Sequence, residues 1–161
     1  MNRLLLTLSA LLIIFSACKK ADSTTSAEED LRSGTWRRTS GKVVYKDSLT
    51  GGDSVRDWLL TEADCRKDNS IVFKTGYIGT IDHGAIHCIN AESTNEFNWE
   101  ISKDEKHISL YGVADYFPVN EVDAEILTRT LGYLTIRYRV INADPLASTY
   151  DTLIYTDVLR R

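Results

Sequence analysis

"YLTIRYRVI" (residues 133–141) alternates without a break: Leu134, Ile136, Tyr138 and Val140 fall on one face of an extended chain, and Thr135, Arg137 and Arg139 on the other. Side chains two apart share a face of a strand, whereas a helix would scatter both sets around its axis. The stretch is therefore a strand with one dry face and one wet face. A dry face must cover a core, and one strand cannot enclose it alone.

Neighbouring sequence supplies the partners. "VDAEILTRT" precedes it across Leu131-Gly132, and "STYDTLIYTDV" follows it across Asn142-Ala143-Asp144-Pro145. Both connections are rich in turn formers. Further upstream, "FNWEISKDEKHISLYGV" reads as a hairpin about residues 103–106, and "SIVFKTGYIGTID" as a hairpin turning near Gly76. "GTWRRTSGKVVYKD" carries β-branched and aromatic residues from Thr35 to Tyr45, and Gly76-x-x-Gly79 is accounted for by its hairpin turn. About eight strands joined by short turns predict an all-β, antiparallel up-and-down meander, and closing it into a small barrel removes the exposed edges that invite aggregation. Two segments depart from the pattern. The polar "DSLTGGDSVRD" (residues 47–57) is expected to be a mobile loop with Gly51-Gly52 at its tip, and "RDWLLTEADCRKD" (residues 56–68) to hold one or two helical turns.

The amino terminus carries a different signal. After Arg3 the chain runs apolar from Leu4 to Ala17, about 14 residues, short of the roughly 20 that a membrane-spanning helix needs. This is the layout of an export signal. It ends Phe15-Ser16-Ala17-Cys18, which resembles a bacterial lipobox and implies cleavage before Cys18 and acylation of that cysteine. Several acyl chains hold a protein to a membrane durably, at about 0.8 kcal/mol per buried methylene. No aspartate directly follows Cys18, which favours the outer membrane. The polar "KKADSTTSAEED" cannot bury enough surface to offset its ordering entropy and reads as a tether. The expected organisation is a signal over residues 1–17, a lipidated cysteine and tether over 18–30, and one barrel domain over 31–161.

Of 161 residues, 19 are Lys or Arg and 23 Asp or Glu, a formal charge of −4; removing residues 1–17 removes only Arg3 and leaves −5. With no basic cluster, nothing in the sequence marks a nucleic-acid surface. Acylation of Cys18 leaves an even pair, Cys65 and Cys88, which an oxidising envelope is expected to join. His83 and His87 lie close to Cys88, but on a strand 83 and 87 share one face and 88 takes the other, so no metal site is expected. No catalytic motif is present: no Gly-x-Ser-x-Gly elbow, no His-Glu-x-x-His helix, no phosphate-binding Gly-rich loop. His83, His87 and His107 are expected at the surface. Asp64, Asp68, Asp115 and Asp123 are the acids that folding could bring together. The expectation is a protein without catalysis or cofactor.

These features together resemble the lipocalin-like lipoproteins of Bacteroidota: Leu31-Arg-Ser-Gly34-Thr-Trp36 opening the first strand, Cys65-Arg-Lys-Asp68 followed by Phe73 and Gly76, Cys88, Trp99-Glu-Ile101, and "EILTRTLGYLTIRY". The resemblance runs from about Leu31 to the end. It implies a small barrel anchored to the membrane, whose interior holds a small apolar ligand against Leu134, Ile136 and Tyr138. It also implies that Trp36 plugs the closed end beneath a basic side chain from the last strands, Arg137, Arg139 or Arg160, a cation–π contact of about 0.5 to 2 kcal/mol. Trp58 and Trp99 are expected in the core. The competing expectation is a barrel filled by its own side chains, presenting its surface to another envelope component.

Overall fold

The computed structural model describes residues 26–46, 50–88, 93–144 and 149–161. Cys18, the signal and most of the tether lie outside the described residues. The chain folds as an antiparallel barrel of eight strands with one strand added. The strands are β1 (Thr35–Lys46), β2 (Asp53–Asp57), β3 (Ser70–Phe73), β4 (Ile78–Asp82), β5 (Thr94–Ile101), β6 (His107–Tyr111), β7 (Glu121–Thr130), β8 (Tyr133–Asp144) and β9 (Thr149–Arg160). From β3 onward each strand pairs with the next in sequence, and β9 returns to β1 to close the ring.

β1 makes closure possible because it is long enough to have two neighbours on one edge. Its first residues, Thr35 to Arg37, pair with β3, while Lys42 to Lys46 pair with β2. β2 therefore replaces the second half of the expected mobile loop. Val55 sits opposite Val44, and Lys46 meets Asp53 at 2.6 Å, so the polar sequence is held by a ladder and a surface ion pair. A register shift between Arg38 and Ser40 switches the inward face of β1 from even to odd positions: Trp36 and Arg38 point in before it, Gly41 and Val43 after it. β8 also runs on through Asn142, Ala143 and Asp144, which pair with β9 where a turn was expected to begin.

The helical expectation for residues 56–68 holds, as a tight turn over Leu59–Thr61 and helix α2 (Asp64–Lys67). A further helix, α1 (Ala27–Arg32), begins inside the segment expected to be a tether. Ser26 caps it, accepting from the Glu29 N–H at 3.2 Å, and its apolar side buries Ala27 and Leu31. α1 closes one end of the barrel. Trp36 donates its indole N–H to Leu31 O at 2.8 Å, and the Ala27 N–H reaches Glu105 at 3.0 Å. The cation above Trp36 is Arg161, 5.1 Å from the ring and 3.0 Å from Asp30. Arg160 instead lies over Tyr133, and Arg137 pairs with Glu125 on the outer wall. The expected partner was displaced by one residue because β9 places odd positions inward and even ones outward, leaving the residue beyond the strand free to turn under the end.

Candidate functional site

The inner face of the barrel is a stack of side chains. Ile71, Phe73, Ile81, Phe97, Trp99, Ile108, Leu110, Val122 and Leu159 fill its middle, each with at most 2% of its surface exposed. Leu134, Ile136 and Tyr138 point inward as their alternation requires, and retain 1%, 1% and 2%. All three belong to the buried core cluster. Edge-to-face contacts tie the layers: Phe73 to Phe97 at 5.6 Å and to Trp99 at 5.2 Å.

Opposite α1, the other end is closed by polar and aromatic groups. Arg38 is buried with its guanidinium 4.3 Å from the Trp58 ring, 4.5 Å from Tyr116 and 5.3 Å from Phe117. Its counter-ion is Asp157, with Nε to Oδ2 at 3.6 Å, close enough for charge attraction and too long for a hydrogen bond. Asp157 accepts from the Trp58 indole N–H and the Tyr138 hydroxyl, both at 3.0 Å. Burial pushes the Asp157 carboxyl up to about 6, against the opposing pull of Arg38 and its two donors. Burial, joined by the charge of Asp157, raises the Tyr138 phenol as well. Trp58, Trp99 and Trp36 are all core, as expected.

This cluster was readable in part. Arg38 stands two residues after Trp36 and Asp157 midway between Tyr155 and Leu159, so strand alternation alone places both charges inside. Its meaning was hidden because a charge at an inward position gains sense only from a partner distant in sequence.

Cys65 and Cys88 form the expected disulfide, with Cα–Cα 5.1 Å. His87 and His107 are exposed, but His83 is 1% exposed, a correction to its expected surface position. It follows β4 and donates its backbone N–H to Ser93 O, and neither ring nitrogen has a partner among the described residues. The acids keep separate company: Asp64 with Lys67, Asp115 with Asn95, Asp123 with Ser109, and Asp68 with the N–H groups of Ala85 and Ile86.

Two concavities lie on the outer wall. One, of about 470 Å³, is bounded by Tyr77 and Tyr111 over a floor containing Asn98 and Glu100. The other, of about 890 Å³, shares Tyr111 and continues past Asp123, Arg137 and Arg139 to Ile154. Sequence reading passed over both, because outward-facing residues of separate strands become neighbours only through the register.

No protein-family model matches the chain, and no curated protein matches it.

Proposed function

We propose that this chain is a lipid-anchored envelope protein of the lipocalin-like kind it resembles, tethered to the outer membrane through Cys18, and that its barrel works by its outer wall as a non-catalytic interaction module. The observation that carries this reading is the filled interior. Leu134, Ile136 and Tyr138, the residues a ligand held inside would touch, are packed against neighbours and retain no more than 2% of their surface. Protein interiors are close-packed, and a fatty-acid-sized guest would have to expel several of these side chains. The concavities described above lie outside the barrel. Tethering is supported by the short apolar run and the small residues before Cys18.

One preparation tests both halves. A Cys18→Ala chain expressed in a bacterial envelope is expected in the soluble fraction, and organic extracts of the purified protein are expected to contain no stoichiometric apolar molecule. Persistent fractionation with membranes would overturn the anchor. A co-purifying lipid would overturn the filled barrel and favour an interior ligand at Leu134, Ile136 and Tyr138.

A further inference from the structure

On the outer wall, pairing sets Ile78 opposite Asn98 and Asn98 opposite Tyr111, a single row across β4, β5 and β6. Ile78 is 41% exposed and Tyr111 42%. Beside the row stands Tyr77, 52% exposed, its ring propped against the buried Trp99 at 5.6 Å. Trp99 is itself pinned by its indole N–H, which donates to Ile78 O at 3.1 Å. Three large side chains, two of them aromatic, are thus exposed side by side on the outer wall.

Tyr77 is also held at φ +61°, the left-handed region that glycine adopts freely and a bulky side chain does not. Gly76 beside it has φ +78°, so the turn already uses a glycine for the same purpose. A tyrosine at the second left-handed position strains the backbone and presents a half-exposed ring on a rigid prop. Such strain persists where the ring has a use.

We propose that the groove between Tyr77 and Tyr111 binds a neutral oligosaccharide. Its volume, about 470 Å³, lies within the roughly 300–1,000 Å³ of small-molecule sites. A sugar ring has a face of C–H groups, which a tyrosine ring attracts, and a rim of hydroxyls, which need donors and acceptors. The floor supplies those: among the described residues the Asn98 amide makes no side-chain hydrogen bond, and Glu100 accepts only from Tyr111 Oη at 3.2 Å. Among the described residues no cation pairs with Glu100, so the groove disfavours an anionic ligand, and an alkyl chain would leave the Asn98 amide without a partner. Beyond Tyr111 the second concavity continues along the wall with carboxylates and arginines, which gives a longer glycan further hydroxyl partners.

This inference rests on the reading that the outer wall, not the interior, does the binding. The test uses the full chain, solubilised in a detergent without a sugar headgroup, on an array of neutral oligosaccharides that includes cello-, malto-, chito-, xylo- and laminari-series, with titration calorimetry on the best binder. Specific binding is expected, and Tyr111→Ala is expected to weaken it about tenfold or more while Tyr111→Phe keeps most of it. Tyr77→Gly separates a binding role from a structural one. It removes the ring and relieves the strain, so it is expected to lose binding about tenfold or more while melting no lower than the parent. A blank array, binding unchanged in Tyr77→Gly and Tyr111→Ala, or capture of an envelope protein through this groove in place of a glycan would each overturn the proposal. A blank array with no lipid in the extracts sinks the glycan alone, whereas a co-purifying lipid sinks the filled barrel.

Discussion

Arg38 and Asp157 face each other inside the barrel, Nε to Oδ2 at 3.6 Å, on the two strands whose pairing closes it. Their side chains are 2% and 0% exposed. Asp157 also accepts from Trp58 and Tyr138, so one carboxylate joins β1, β8, β9 and the turn after β2. Asp157→Ala strands a buried guanidinium and two donors, and removing one partner of a buried pair costs about 3–5 kcal/mol. Urea denaturation is expected to show a loss of that order. A loss below about 1 kcal/mol, the worth of one ordinary hydrogen bond, would mean that water reaches the cluster.

The same carboxyl sets a pH dependence of unusual sign. Burial holds the folded Asp157 at about 6, above its ordinary 3.8, so the folded state binds this proton more tightly than the unfolded one. Its contribution is fully present below about pH 4 and is lost as pH rises through 6, with a slope of at most about 1.4 kcal/mol per pH unit. Asp68 and Asp104 act oppositely. For Asp68, partial desolvation pushes up but the N–H groups of Ile86 and Ala85 outweigh it, and for Asp104 the Ser102 hydroxyl and the Lys106 N–H lower the value. Their stabilisation is lost as pH falls below 3.8. Melting temperatures are therefore expected to fall between pH 4 and 6 in the parent, and to be flatter over that window in Asp157→Asn.

Strand alternation made most of the barrel legible. It placed β1 and β3 to β9 within a few residues of their bounds, and set Leu134, Ile136 and Tyr138 inside. It failed at β2, where Asp53, Arg56 and Asp57 give no dry face, because this strand covers nothing and is held by its ladder to β1. It also missed α1, although Ser26 three residues before Glu29 is a helix-start signature, because the surrounding polarity looked like a tether. Whether the barrel is open or filled was not legible, since Leu and Ile line a cavity as readily as they fill a core. His83 looked like a surface residue because it sits between Asp82 and Gly84 in polar, turn-adjacent sequence.

The disulfide closes a separation of 23 residues. On the chain-entropy model that loop is worth about 3 kcal/mol, which for a domain of this size is about 10 °C in melting temperature. Reduction is expected to lower the melt by that order and to make both cysteines alkylatable only afterwards. An unchanged melt would place the stabilisation of α2 and the adjoining loop in contacts such as Arg66 to Phe117 O at 2.7 Å instead of in the bond.

Gly41 shows how closely the Trp58 turn is seated on β1. A Cβ built there would stand 2.5 Å from Trp58 Nε1, 2.8 Å from its Cε2 and 3.0 Å from Asp157 Oδ1. The backbone cannot easily yield, because the Trp58 N–H donates to Gly41 O at 2.9 Å. Gly41→Ala therefore overpacks the site and is expected to cost about 1–3 kcal/mol. Trp58→Phe removes the atoms in the way but also the donor to Asp157, so it is expected to destabilise on its own. In the double variant the clash is gone, and the combined loss is expected to fall short of the sum of the singles by about 0.5 kcal/mol or more, the coupling of residues in contact. Strict additivity would mean that the indole already moves aside in Gly41→Ala, and with it the hydrogen bond that holds Asp157 in place.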